Sequence, residues 1–269
     1  MSGIRADLLL VDRGLVESRT QAQRLIMAGQ VYANGERVLK PASTISAEAD
    51  ILIEQGPPFV SRGGDKLQAA LTEFNFNPSG LSCADVGAST GGFTDCLLQN
   101  GANQVYAIDV GQGILHWKIR QDKRVVVMEN TNARYVERLP EAVDLVTIDA
   151  SFISLKILLP VVQNWLKAQG GNILALIKPQ FEAGRADASK GSGVIRDPII
   201  HRRVLLDVLS FSQGIRYGIR GLIRSPLLGP KGNVEFFTWL VYPRQAKSNL
   251  TEIVDQVVDK GESLSPPTL

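Results

Sequence analysis

Apolar residues recur along this chain with two different spacings. Between residues 81 and 178, apolar runs of strand length alternate with stretches in which apolar positions return every three or four residues. The runs predict strands at Leu81–Val86, Gln104–Asp109, Val125–Met128, Asp144–Asp149 and Asn172–Lys178. The intervening periodicity predicts helices that include Phe93–Asn100 and Leu155–Leu166. A further helix is expected over Pro198–Ser212, followed by strands near Tyr217–Ile223 and Val234–Tyr242. Alternation of this kind implies an α/β fold, a mostly parallel sheet with helices on both faces. Its ligand site is expected beyond the carboxyl ends of the strands.

The first 55 or so residues follow another pattern. Ser18 and Gln21 have capping-box spacing and open a short helix with Ala22, Leu25 and Ile26 on one face, which Gly29 ends. Val31–Ala33, the dipeptide Asn34-Gly35 and Arg37–Leu39 predict a hairpin, since both turn positions of that type need positive φ. A strand at Ile51–Ile53 precedes Gln55-Gly56-Pro57-Pro58, the best linker candidate in the chain. The expected organisation is a small α+β module over 1–55, a linker over 56–60, a larger domain over 61–245, and a C-terminal helix and tail over 246–269.

Composition narrows the class. The 269 residues include 29 Lys and Arg against 27 Asp and Glu, with 44% hydrophobic and 21% charged residues, as in an ordinary globular protein. The longest tempting apolar stretch, Ile148 to Leu166, is broken by Asp149, Lys156, Pro160 and Asn164, so no membrane span is expected. Two cysteines, Cys83 and Cys96, cannot supply a four-ligand metal site, and no metal is expected. No basic-then-apolar leader opens the chain, and a cytoplasmic protein is the expectation. The net charge of +2 hides an asymmetry: residues 184 to 231 hold nine basic and three acidic residues, while the remainder is net acidic. A near-neutral total is therefore compatible with a nucleic-acid partner.

The sequence DVGASTGGFT, Asp85 to Thr94, lies between a predicted strand and a predicted helix. Gly87 suits a tight turn, and Gly91 and Gly92 suit close approach of a ligand to a helix N-terminus. Ser89 stands where the dinucleotide fingerprint has its second glycine. Asp109 ends the next strand, where a carboxylate accepts from ribose hydroxyls. Loop and acid together suit a nucleoside cofactor without a pyrophosphate. S-adenosylmethionine fits, with Asp85 toward its amino group and loop amides toward its carboxylate. Gly87-Ala88-Ser89-Thr90-Gly91 also has nucleophile-elbow spacing, but a serine hydrolase needs a late loop histidine. Only His116 and His201 exist, and His201 falls in a predicted helix. A purely structural glycine loop is the third reading.

Four residues are placed to move a proton. Asp149 and Lys178 end two of the predicted strands; Lys66 lies at the entrance to the larger domain, and Glu235 begins the last strand. A lysine near a second cation and screened from water loses its proton more easily and serves as a general base, a contribution of roughly 10²–10⁴-fold. Taken singly, Lys66 and Glu235 also read as solvated surface residues and Asp149 as a helix cap. Spacing alone does not bring the four together.

The blocks SRGGDKL (Ser61 to Leu67), DVGASTGGFT, DASFISL (Asp149 to Leu155), KPQFE (Lys178 to Glu182) and GPKGNVEFF (Gly229 to Phe237) occur in this order. By these blocks the chain resembles the TlyA family, S-adenosylmethionine-dependent ribosomal RNA 2′-O-methyltransferases once labelled haemolysins. The resemblance runs from Arg5 to about Tyr242. It implies an S4-like RNA-binding domain followed by an FtsJ-like, Rossmann-like class I methyltransferase domain with a seven-stranded sheet. It also implies a Lys-Asp-Lys-Glu tetrad at Lys66, Asp149, Lys178 and Glu235, with Lys178 as base and Lys66 as its electrostatic partner. The cofactor residues implied are Asp85, Gly87, Ser89, Thr90, Gly91, Gly92, Phe93, Asp109 and Asn132, the last facing the adenine. The substrate implied is a cytidine 2′-hydroxyl in 23S and, in some members, 16S ribosomal RNA. Dependence on that hydroxyl excludes DNA.

Arg5, Arg19, Arg24 and Lys40 of the first module, with Arg62, are the expected RNA contacts. The stretch Gly184 to Gly193, with Arg185 and Lys190, is expected to be mobile and to close over RNA. Pro58-Phe59-Val60 departs from relatives that carry a tryptophan there. The competing class is a non-catalytic RNA-binding ribosome-assembly factor, which has no use for the tetrad. A pore-forming haemolysin finds no leader, span or long basic amphipathic helix.

Overall fold

The computed structural model describes residues 3–54, 56–184, 187, 193–244 and 246–259. The chain divides into two compact units, Met1–Pro58 and Phe59–Leu269.

The N-terminal unit contains β1 (Gly3–Arg5), α1 (Ala6–Asp12), α2 (Arg19–Met27), β2 (Val31–Ala33), β3 (Glu36–Arg37), β4 (Thr44–Ser46) and β5 (Ile51–Ile53). The N-cap half of the capping box forms, Ser18 Oγ accepting the Gln21 N–H at 3.2 Å, while Gln21 Oε1 reaches one residue further back and accepts the Glu17 N–H at 3.0 Å. Asn34 and Gly35 take φ of 51° and 81°, and β2 pairs with β3 across them. The second hairpin strand is shorter than its sequence suggests, because Leu39 is 75% exposed and has no core to join. Three elements absent from the sequence reading, β1, α1 and β4, complete the unit, with β1 and β4 paired antiparallel. Ala6 and Leu10 on α1 pack with Ala22 and Ile26 on α2 and with Val31 and Val38.

In the C-terminal unit, α3 (Arg62–Glu73) precedes β6 (Ser82–Val86), α4 (Gly92–Gln99), β7 (Gln104–Ile108), α5 (Trp117–Arg120) and β8 (Val125–Met128). Then come β9 (Leu145–Ile148), α6 (Leu155–Val162), β10 (Gly171–Ile177), α7 (Pro179–Glu182), α8 (Pro198–Gly214), β11 (Gly218–Arg224), β12 (Phe236–Tyr242) and α9 (Leu250–Asp259). They form a seven-stranded sheet in the order β11-β12-β10-β9-β6-β7-β8. β12 runs antiparallel to both its neighbours, and the other pairings are parallel.

Alternation along each strand sorts the core into two layers. Ala84, Val86, Tyr106, Ile108, Val146, Ile148, Ile173 and Ala175 face α6, α8 and α9. Cys83, Val105, Ala107, Leu145, Leu174 and Leu176 face α3, α4 and α5. Both faces are covered, which is why the strands read as continuous apolar runs. Phe59 and Val60, expected in the linker, belong to this unit instead. Phe59 is buried in the second layer, where Gly64 gives its ring room, and the Val60 N–H donates to Asp95 Oδ2 at 2.9 Å. Arg185 and Lys190 lie outside the described residues, as does the tail beyond Asp259. No helix among the described residues is long and apolar enough to cross a membrane.

Candidate active site

β6 and β9 are parallel neighbours whose continuations leave toward opposite faces: β6 leads into α4 in the second layer and β9 into α6 in the first. A crevice opens at such a point. The two chains pass one another closely there, since a Cβ on Gly87 would stand 2.8 Å from the Asp149 carbonyl oxygen. Its φ of 84° gives a second reason for glycine.

Asp109, immediately after β7, pins the loop that follows. Its Oδ2 accepts the Ser89 N–H at 2.8 Å and its Oδ1 the Gly111 N–H at 2.7 Å. Ser89 is thereby held at φ 51°. The Thr90 carbonyl accepts the His116 N–H at 3.1 Å. Gly91 and Gly92, expected to make room for a ligand, make room for protein. A Cβ on Gly91 would meet Leu115 and Ile119, and one on Gly92 would fall 2.3 Å from Ser61 Oγ on the approach to α3.

Asp85 likewise meets protein. It is fully buried and lines no cavity at the crevice. Oδ2 accepts from Thr94 Oγ1 at 2.7 Å and Oδ1 from Thr147 Oγ1 at 3.1 Å, tying β6 to α4 and β9. Burial, with Asp149 nearby adding to it, pushes this carboxyl up to about 7 against the two hydroxyl donors. Asp85 faces hydroxyls of the protein rather than a ligand amino group.

Two cavities meet along Gly87, Ser89, Asp149 and Ser151. The first, of about 290 Å³, is walled by Val110, Ile114, Ala133, Ile153 and Leu158, with Asp109 and Asn132 as polar groups on its lining. Asn132 Oδ1 also accepts the Arg134 N–H, which fixes the amide. The second, of about 370 Å³, is lined by residues 87–90, 92 and 93, exposed Arg62, Leu228 and the charged residues Lys66, Asp149 and Lys178.

Those charges form two ion pairs. Lys66 Nζ, on α3, lies 2.6 Å from Glu235 Oε2, with the carboxylate fully buried. Gln180 Nε2 donates to the other oxygen of Glu235 at 3.3 Å. Lys178 Nζ, at the start of α7, is 2.7 Å from Asp149 Oδ1, although the angle there is not that of a hydrogen bond. It donates instead to Ser151 Oγ at 3.1 Å and to the Asp149 carbonyl at 3.4 Å. Both lysines are about nine-tenths buried. All four tetrad positions thus come to one end of the sheet, as two Lys–carboxylate pairs.

Four neighbours escaped sequence reading. Ser151 and Gln180 hold Lys178 and Glu235 respectively. Phe152 is 90% exposed, has φ 63°, and places its ring 4.8 Å from that of Phe181. A bulky residue in that conformation is strained and persists only where its surroundings hold it. Glu182 supplies the hold: its carboxylate accepts from Ser154 Oγ at 2.5 Å and from the Leu155 N–H at 2.7 Å, closing the 149–155 turn onto α7. The only sequence signal was that all four sit inside the DASFISL and KPQFE blocks. His201, the histidine a hydrolase would need, is buried against the Ile195 carbonyl. Among the described residues neither histidine bonds Ser89.

Of the expected RNA contacts, Arg5, Arg19, Arg24 and Lys40 are exposed on the N-terminal unit. In the basic stretch after residue 184, Arg202 and Arg203 are paired with Asp255 and Asp187.

The FtsJ-like methyltransferase family matches residues 59–242, and the S4 domain matches residues 4–51. A 16S/23S rRNA (cytidine-2′-O)-methyltransferase TlyA of Mycobacterium tuberculosis is 45% identical over 240 residues, 88% of this chain and 89% of that one. A 23S rRNA (cytidine-2′-O)-methyltransferase TlyA of Campylobacter jejuni is 31% identical over 86% of this chain and 97% of its own. A solved structure from Streptococcus thermophilus that carries the name hemolysin is 41% identical, with a TM-score of 0.73 over 97% of this chain and 96% of that one. The chain therefore belongs to the TlyA family of methyltransferases, an S4 domain joined to an FtsJ-like catalytic domain.

Proposed function

We propose that this enzyme transfers the methyl group of S-adenosylmethionine to the 2′-oxygen of a cytidine in ribosomal RNA, 23S first and 16S as a second substrate. The observation that carries the reading is two lysines, each paired with a carboxylate, on the lining of one cavity that adjoins an apolar slot beneath Asp109.

The slot suits the nucleoside part of the cofactor. Val110, Ile114, Ala133, Ile153 and Leu158 offer apolar walls to an adenine ring, and Asn132 lies where its edge would be read. Each Asp109 oxygen takes one backbone amide and keeps acceptor capacity for a ribose diol. The 87–93 loop then leads to the lysines. When bound, the cofactor supplies an electrophilic methyl group on a sulfonium.

The protein's task is alignment and deprotonation. Lys178 accepts the 2′-hydroxyl proton as the oxygen attacks, so an O–C bond forms while the S–C bond breaks. Asp149 and Ser151 aim Lys178. Lys66, held by Glu235, places a positive charge beside the developing oxyanion. Exposed Phe152, packed on half-buried Phe181, offers a face on which a base drawn out of its stack can rest. Arg62 and the exposed cations of the S4 unit meet RNA phosphates. Ribosomal subunits are the partner, which places the work in the cytoplasm.

Calorimetric titration with S-adenosylmethionine, followed by mapping of 2′-O-methyl groups on ribosomal RNA from a deletion strain, tests the whole reading. Micromolar binding and one or two lost modifications are expected. Absence of both would leave a non-catalytic RNA-binding role.

A further inference from the structure

Asp7 is an aspartate on α1 whose side chain is fully covered, yet two of its partners are half-exposed arginines. Arg5 meets it edge-on, Nε to Oδ1 and Nη2 to Oδ2, both at 3.0 Å. Arg19 Nε donates to Oδ2 at 2.9 Å, and Gln23 Nε2, one turn further along α2, donates to the same oxygen at 3.0 Å. The Asp7 N–H is itself bonded to the Pro41 carbonyl. Four hydrogen bonds from charged or amide donors hold this carboxyl far below the usual carboxylate range, the Arg5 contact contributing most. A carboxylate in this position has no access to solvent or ligand. An anion approaching from outside meets guanidinium groups, not the acid beneath them.

The contacts also decide which donors remain. A guanidinium carries five N–H groups in a rigid fork. Asp7 takes two from Arg5 and one from Arg19, each time through the Nε edge. The outer ends of both forks are left facing the surface, their side chains 43% and 51% exposed. Two planar forks fixed by one buried anchor match the oxygens of a phosphodiester, and their rotamers are ordered before the ligand arrives.

We propose that Asp7 is the positioning residue of a preorganised phosphate site formed by Arg5 and Arg19, which seats the RNA backbone on the N-terminal unit. The inference rests on the RNA-binding reading given above and adds a prediction opposite in sign to simple electrostatics. Removing an acid from a surface that binds RNA raises the local positive charge, so long-range attraction alone makes Asp7→Asn bind more tightly. A positioning role makes it bind more weakly, because two arginines lose their common anchor. The same logic separates arginine from lysine. Arg19→Lys keeps the charge but cannot pair with Asp7 along one edge and donate outward along another.

The test is binding of the full-length protein to purified large-subunit ribosomal RNA between 50 and 300 mM KCl, with thermal melting recorded for each variant. Asp7→Asn is expected to weaken binding at least fivefold and to reduce the slope of log K against log salt by about 1, one phosphate contact. Arg19→Lys is expected to weaken it at least threefold at unchanged net charge. Equal or tighter binding by Asp7→Asn overturns the proposal. If Asp7→Asn melts the N-terminal unit, Arg19→Lys decides alone, and wild-type affinity in that variant overturns it. Wild-type protein that shows no salt-dependent RNA binding removes the parent reading, a result distinct from failure of the anchor.

Discussion

Gly229 and Glu235 face each other so closely that a methyl group on the glycine would stand 2.2 Å from Glu235 Oε1. The glycine in this turn is therefore a condition for the Lys66–Glu235 pair. Gly229→Ala forces either the turn or the carboxylate to move, and a carboxylate that moves leaves Lys66 buried beside no counter-charge. Loss of one partner of a buried pair costs about 3–5 kcal/mol. Gly229→Ala is expected to lower stability by about that much and methyl transfer at least tenfold. Urea unfolding and a tritiated-methyl transfer assay measure the two; wild-type values in both would mean the turn adapts without disturbing Glu235.

Lys178 and the cofactor slot are separable. Lys178 lines the cavity of the ion pairs and is absent from the lining of the slot beneath Asp109. Lys178→Ala is thus expected to leave S-adenosylmethionine affinity within about threefold while methyl transfer falls by roughly 10²–10⁴, the range of a lost general base. Lys178→Arg, which never gives up its proton, is expected to be as inactive. Calorimetry alongside single-turnover methylation distinguishes these effects. Activity in the arginine variant would exclude Lys178 as the base and leave it a purely electrostatic part.

Phe152 sets stability against function. Its φ of 63° is unfavourable for a bulky residue, and with 90% of it exposed it buries little in return. Phe152→Gly is expected to raise stability by about 1 kcal/mol through relief of strain, partly offset by the greater freedom of glycine in the unfolded chain. The same change removes the aromatic face next to Phe181, and KM for RNA is expected to rise about five- to tenfold. Melting temperature and steady-state kinetics on ribosomal subunits are the readouts. A destabilised variant with unchanged KM would make the ring a packing element only.

The sheet was legible because strands covered on both faces have no polar side to hide; Leu145–Ile148 and Gly171–Ile177 are almost unbroken apolar runs. Asp109, Asp149 and Lys178 were legible for the same reason, each being the first polar residue after such a run. The convergence of Lys66 with Glu235 was not. They are 169 residues apart, and Lys66 sits on a helix whose Arg62-Gly63-Gly64 opening reads as a loop. α1 was missed because seven residues carry too few periods to separate a helix from an apolar run. Asp85 misled for a physical reason: an acid at the end of a strand beside a glycine loop looks the same whether its partner is a ligand or, as here, two threonine hydroxyls of adjacent elements.

Asp85 also makes a pH-dependent prediction whose sign can be worked out. An aspartate that titrates at about 7 when folded and near 3.8 when unfolded keeps its proton in the native state over that interval while the unfolded chain has lost it. Between these values the native state binds more protons, so stability falls as pH rises, by at most about 1.4 kcal/mol per unit, and levels off above 7. Asp85→Asn removes the ionisation. Its amide oxygen still accepts from Thr94 Oγ1, and the Thr147 hydroxyl can turn to accept from the amide nitrogen. The difference in melting temperature, variant minus wild type, is therefore expected to grow steadily from pH 4 to pH 7 and then to stay constant. A difference that does not change with pH would mean that Asp85 is ionised throughout, its two hydroxyl donors outweighing burial.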